Sequence, residues 1–331
     1  MFQKQIDILT IGDTATDAFI RLKDAHVHCN IKHEACELCM RFGDKIPFEY
    51  VKVIKAVGNA ANAAVSASRL GLTSALVTNI GSDQNGQDCI VELQKNKVIT
   101  SYIKVHKNKP TNYHFVLWYD VDRTILVNHT EYDYRLPKIT APKWIYLTSI
   151  GANARPYHME IADYLDRNPK VKLAFQPGTF QLKLGFVELK RIYEHADLLV
   201  VNVEEAQKLL ATNSRDIKIL MQGLSQHAKK LISITDSTSG SYLYDGDHYY
   251  HMPMYPDPRP AFERTGCGDA WTSTFVSALA IGKTPLEALT VAPINPMSVA
   301  QFIGSQEGLL TMEQLEWWLS RAPEDYKARE I

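Results

Sequence analysis

Residues 263–271 read ERTGCGDAW: two glycines flank a cysteine, an aspartate follows at once, and the run AWTSTFVSALA behind it has the character of a buried helix. The first turn of a helix has unpaired N–H groups and a partial positive charge. Gly266 and Gly268 add no side chain there, so an anion can approach the peptide amides closely. Gly266, Cys267 and Gly268 therefore form a candidate anion hole, suited to phosphate or to the charge that develops in phosphoryl transfer. Asp269 stands at the edge of that hole, where a carboxylate can accept a proton from a substrate hydroxyl. A helix start favours the charged carboxylate, so Asp269 reads as a weak base but a well-placed acceptor. The plainer reading of the same residues is a glycine turn and a favoured first-turn aspartate. The chain has no G-x-x-x-x-G-K-[ST] loop, so phosphate handling would fall to helix N-termini.

The elements that must position these residues alternate along the chain. Strand-like runs are IDILTIG, ALVTNI, WIYLTSI, VKLAFQP, DLLVVN and KKLISIT. Helix-like runs span 59–70, 86–97, 157–167, 204–210 and 217–227. Short apolar strands separated by helices predict an α/β fold with a mostly parallel central sheet flanked by helices. Two segments break the rhythm. Residues 18–57 hold a polar His- and Cys-rich insert followed by FEYVKVIKAVG, and TNYHFVLWYDVDRTILVN at 111–128 reads as a hairpin through DVDR. These predict a small β-sheet lid (18–57 and 111–128) beside an α/β core made of 1–17, 58–110 and 129–331.

Bulk composition narrows the function classes. The 331 residues are 45% hydrophobic and 22% charged with a formal net charge of −1, so no global field draws the chain to nucleic acid or anionic membrane. No apolar run reaches the ~18 residues of a membrane span, and the N-terminal stretch reads as a first core strand rather than a signal peptide. Five cysteines, three of them within residues 29–39, do not suggest a secreted disulfide framework, and the expected compartment is the cytoplasm.

The motifs together carry a resemblance. ERTGCGDAW resembles the C-terminal D-T-x-G-A-G-D signature of the ribokinase-like, phosphofructokinase B-type carbohydrate kinases. AVGNAANAAVSASRLG at 56–71 resembles their N-terminal signature, and IGSDQNG at 80–86 the I-G-x-D-x-x-G that follows it. The resemblance covers nearly the whole chain except the insert near 22–48. It implies a ribokinase-like fold and an ATP- and Mg²⁺-dependent kinase acting on a hydroxyl of a small sugar-like substrate. A nucleoside kinase of the same fold and a catalytically weak sugar- or nucleotide-binding regulatory protein are the alternatives.

By position, the resemblance makes Asp269 the base and residues 266–268 the anion hole. It implies that Asp17, Gly58, Asn59 and Asn62 contact substrate, and that Asn202 and Glu205, in NVEEA, act near Mg²⁺, through water, and near the phosphates. Thr235 and Gly240 would lie beside the nucleotide, and Asn295 near the adenine. A monovalent cation is a further candidate cofactor, and a homodimer through the lid a candidate assembly. Val57 departs from the first glycine of the usual Gly-Gly pair, Ser237 from the first glycine of the nucleotide turn, and Glu263-Arg264 from the usual Asp-Thr. A dinucleotide-dependent oxidoreductase is disfavoured, because the first strand is followed by GDTATD and not G-x-G-x-x-G.

Local readings of these residues stand beside the functional ones. Asn202 and Glu205 fit a capping box, Asn59 a cap, Asn62 a helix-surface amide, and Asn295 an N-cap before Pro296. Asp13, like Asp17, follows the first strand as a loop carboxylate. In HVHCNIKHEACELC, Cys29, Cys36 and Cys39 with His26, His28 and His33 could supply zinc ligands, but the spacing matches no common module. Plain packing of these cysteines is the preferred reading.

Overall fold

The computed structural model describes residues 5–29, 36–119, 122–228 and 230–331. Nine strands form the main sheet. Their spatial order is Arg329–Glu330, Tyr249–Met252, Ser241–Tyr244, Leu231–Thr235, Ala196–Asn202, Lys172–Phe175, Trp144–Leu147, Ile8–Ile11, Ser74–Val77. The last six run parallel, and the first three extend the sheet by antiparallel pairing.

Parallel strands must be covered on both faces, and alternation along each strand sorts the side chains. Leu9, Ile11, Ile145, Leu147, Leu199 and Val201 enter one core with Tyr157, Ile161 and Leu165 of helix Arg155–Arg167. Ile8, Trp144, Tyr146, Leu198 and Val200 enter the other with Trp271 and Phe275 of helix Cys267–Ala280. The strands and helices expected from sequence are present. Two helices it did not anticipate, Thr179–Glu188 and Lys190–His195, lie between strands.

A separate four-stranded sheet has the order Asp122–Leu126, Asn112–Tyr119, Ala15–Leu22, Phe48–Val57. The first two segments pair as the expected antiparallel hairpin, whose residues 120 and 121 lie outside the described ones. Ala15–Leu22 runs parallel to Asn112–Tyr119, in register Asp17 with His114. The inner face of this sheet touches the main body at Trp118 against Phe262, with ring centroids 5.1 Å apart, and at Ile54 and Phe19 against Gly304.

In the insert, His26–His28 pairs antiparallel with Glu37–Cys39. The reading of its cysteines as plain packing needs correction. Cys29 and Cys36 form a disulfide, which removes two thiols from any zinc set, and Cys39 is exposed. The sequence reading saw no disulfide framework because it weighed the cysteine count, and this bridge is a local staple between residues seven apart. His33 lies outside the described residues. Among the described residues, no helix is long and apolar enough to cross a membrane.

Candidate active site

Helix Cys267–Ala280 begins after Gly266, which has φ 79° in the left-handed region. A Cβ at Gly266 would stand 2.2 Å from Ser305 Cβ, so both the backbone turn and the packing demand glycine. The Cys267 amide makes one long bond, 3.4 Å to the Arg264 carbonyl. The Gly266 and Gly268 amides make none among the described residues. Burial pushes the Cys267 thiol up to about 12, against the smaller opposing charge of Arg264, so the thiol stays protonated. What Cys267 offers is its backbone.

Asp269 follows in the first turn and is buried. The expectation that the helix start would keep it an ordinary carboxylate is corrected here. Burial raises it to about 6, and the charge of Glu205 adds to the rise, while hydrogen bonds from Asn62 and Asn59 oppose it. Desolvation outweighs the helix-end effect because water is lost around the whole carboxylate. A carboxylate at about 6 is a better proton acceptor than one near 4.

Asn62 is committed to this carboxylate. Its Nδ2 donates to Asp269 Oδ2 at 2.8 Å, and its Oδ1 accepts from Ser305 Oγ at 2.7 Å and Gln306 Nε2 at 3.0 Å. These bonds hold Asn62 against Asp269 and give it a positioning role, with one Nδ2 hydrogen not used by them. One turn deeper, Ser273 Oγ donates to Ser66 Oγ at 2.7 Å. Helices Asn59–Arg69 and Cys267–Ala280 thus meet through a polar ladder at i, i+4 spacing, which their small residues allow by letting the backbones approach.

Asn295 belongs to the same ladder. It is 0% exposed, donates to Thr274 Oγ1 at 3.0 Å and Ser66 Oγ at 3.5 Å, and accepts from the Leu310 amide at 3.0 Å. Pro293 caps its helix, Ile294–Val299. Asn295 is neither the N-cap nor a cavity residue, since packing behind the two helices claimed its amide first.

A cavity of about 220 Å³ opens beside this helix start. Thr235, Ser237, Gly240, Arg264, Cys267, Gly268 and Trp271 are among its lining residues. Arg264 Nη2 lies 3.2 Å from Asp257 Oδ2 within the same lining. Thr235 and Gly240, expected beside a nucleotide, line this cavity; sequence reading did not single out Trp271 or Asp257, and it noted Arg264 only as a departure from the usual Asp-Thr.

Asn202 and Glu205 form the capping box in full. Glu205 N donates to Asn202 Oδ1 at 2.8 Å, and Asn202 N donates to Glu205 Oε2 at 2.9 Å. Burial raises the Glu205 carboxyl, and its charge is felt at Asp269 and at Tyr146. Glu205 Oε1 has no partner among the described residues.

On the other side of Asp269, Gly58 has φ 103°, and a Cβ there would stand 2.7 Å from the Asp13 carbonyl oxygen. Gly58, not Asn59, is the N-cap residue, and Asn59 turns its side chain to Asp269. Asp17 Oδ1 lies 3.2 Å from His114 Nδ1. Asp13 is spent on its neighbours: Tyr134 Oη donates to both its oxygens, at 3.1 and 2.9 Å, and the Gly151 amide to Oδ2 at 2.8 Å. Burial raises Asp13 to about 7 against these bonds. His114 and His129, 5.3 Å apart between ring centroids, were missed in the sequence, as was Gln176. Gln176 Nε2 lies 4.0 Å from where a Gly268 Cβ would stand.

Residues 52–307 match the model of the pfkB family carbohydrate kinases. The chain belongs to that family. This kinase is 26% identical over 271 residues to the ribokinase of Bacillus subtilis, covering 80% of its own chain and 87% of the relative. It is 24% identical over 319 residues to the nucleoside kinase of Methanothermobacter thermautotrophicus, covering 92% and 91%. Its fold is that of the Arabidopsis thaliana ribokinase complexed with ribose and ATP, at TM-score 0.76, 17% identity and coverage of 95% and 99%. The family makes it an ATP-dependent carbohydrate kinase with a ribokinase-like fold.

Proposed function

We propose that this kinase phosphorylates a hydroxyl of a small sugar-like substrate held between the four-stranded sheet, as lid, and the main sheet, as core. The observation that carries the residue assignment is the juxtaposition at one helix start. A buried carboxylate, held by Asn62, follows directly on two amides with no partner among the described residues, and Cys267 and Gly268 of the same turn line a cavity. Asp269 accepts the substrate's hydroxyl proton. The amides of Gly266, Cys267 and Gly268 hold the phosphoryl oxygens as charge moves onto them. Asp17, Gly58 and Asn59 face the substrate, and Thr235 and Gly240 flank the nucleotide.

Mg²⁺ fits at Asn202 and Glu205. The half-buried Glu205 carboxyl has one oxygen free among the described residues and lies near the charge of Asp269, a local excess of negative charge that a divalent cation offsets. When bound, Mg²⁺ supplies charge neutralisation at the phosphates. Among the described residues no cluster of three or more His, Cys, Asp or Glu is placed to hold a metal by itself, so the assigned pair would act through water. A monovalent cation is not part of the proposal. A cytoplasmic setting is, from the ordinary composition and the cysteine usage of the chain.

The assembly proposed is a homodimer through the lid. Val53, Ala18, Phe115 and Leu126 form one row across the outer face of the four-stranded sheet. Three of the four are 45%, 44% and 51% exposed, at Val53, Phe115 and Leu126. An apolar row of this kind is a liability on a free sheet face and an asset in an interface.

The deciding experiment is turnover of ATP with Mg²⁺ against a panel of sugars and nucleosides, with Asp269→Asn beside the wild type. A fall of about 10²-fold or more in turnover is expected. Full turnover in the variant removes Asp269 from the chemistry. Binding without turnover across the panel favours a regulatory protein on a kinase fold.

A further inference from the structure

Two histidines that no motif points to stand beside Asp17. His114 lies on strand Asn112–Tyr119, opposite Asp17 on the neighbouring strand, and both side chains are about 15% exposed, at 15% and 14%. His129 follows the lid hairpin where the chain returns to the core, and its ring meets those of His114 at 5.3 Å and Phe180 at 5.9 Å. Three polar atoms of this group are buried without a hydrogen-bond partner among the described residues: Asp17 Oδ1, His114 Nε2 and His129 Nδ1. The contact of Asp17 Oδ1 with His114 Nδ1 has ion-pair distance but not hydrogen-bond alignment. Buried polar atoms left open in this way are costly unless something meets them.

A sugar hydroxyl is both donor and acceptor. A carboxylate oxygen takes its proton and an imidazole nitrogen serves its other side. Asp17 also places a carboxylate at this wall, which opposes a ligand carrying a phosphate or carboxylate there. The ring of Phe180 offers an apolar surface to the carbon face of a sugar.

We infer that His114 and His129, with Asp17, read adjacent hydroxyls of the acceptor, and that the acceptor is a neutral polyhydroxylated molecule rather than a sugar phosphate or sugar acid. This rests on the phosphotransfer reading and deepens it. Because the strand bearing His114 belongs to the lid, seating of the lid and recognition of the hydroxyls become one event.

The test uses the full chain. His114→Gln and His129→Gln, with His114→Asn as a second variant, are checked by thermal unfolding and then assayed with the best neutral acceptor of the wild type. The expected result is a rise of about tenfold or more in KM for the acceptor in each histidine position, with KM for ATP within about twofold. Discrimination between epimers of the acceptor at the hydroxyls read should narrow. Unchanged acceptor KM at both positions, or a sugar phosphate or sugar acid as the preferred acceptor, overturns the inference. If the wild type turns over no acceptor, calorimetric titration with the same neutral sugars and nucleosides separates the two readings. Binding weakened by both variants supports the hydroxyl wall while the phosphotransfer reading falls, and binding that both variants leave intact overturns the wall.

Discussion

Asp269 shows how one residue's surroundings set its chemistry. Its carboxyl sits at about 6 because burial outweighs the donors Asn62 and Asn59. Since only the ionised form accepts a proton, turnover should rise with pH through about 6, and a pH–rate profile measures it. Asn62→Ala removes a donor that lowers the value, so the acid limb should move to higher pH while kcat falls about tenfold. A limb that stays in place would sever Asn62 from Asp269. The same shift has a stability consequence. The folded value lies above the ordinary 3.8, so the folded chain binds more protons than the unfolded between about pH 4 and 6. Stability from this group therefore declines as pH rises through that window. Asp269→Asn should then melt higher than wild type at pH 7 to 8 while losing turnover, which thermal unfolding reads directly.

At the scale of elements, the site is one helix start held against two loops. Gly266→Ala must adopt a left-handed φ and press on Ser305, so it should cost about 1–3 kcal/mol in backbone strain alone and displace the amides at 267 and 268. Denaturant titration and turnover check both effects, and a stable, active variant would mean the turn can reform without its geometry. Glu205→Gln separates cap from cation. The glutamine keeps an oxygen for the Asn202 amide but loses the charge, so stability should change little while the Mg²⁺ concentration needed for half-maximal rate rises several-fold. An unchanged Mg²⁺ requirement would leave Glu205 with its capping role. These element-level roles were partly legible in the sequence. The glycines around Cys267 and the N-x-x-E spacing could be read because each acts within one turn of chain. Asn295 was misread because its partners, Ser66, Thr274 and Leu310, are brought to it from three distant segments.

At the scale of the whole molecule, the four-stranded sheet has one face toward the main body and an opposite face that bears exposed apolar residues. Lysine at Val53 and Phe115 together should shift a dimer toward monomer in analytical ultracentrifugation over the micromolar range. A wild type that sediments as a monomer throughout that range would end the dimer proposal. The alternation of strands and helices, a mostly parallel sheet covered on both faces and the Gly-Cys-Gly-Asp turn were determined by the sequence alone, because periodicity and turn chemistry are local and repeat along the chain. Only the tertiary structure decided that Asp269 is desolvated, that Asn62 serves it, and that His114 and His129 stand beside Asp17. Each depends on which segments lie next to one another in space, and burial, which sets the charge of a carboxylate, is a property of that surrounding and not of the residue.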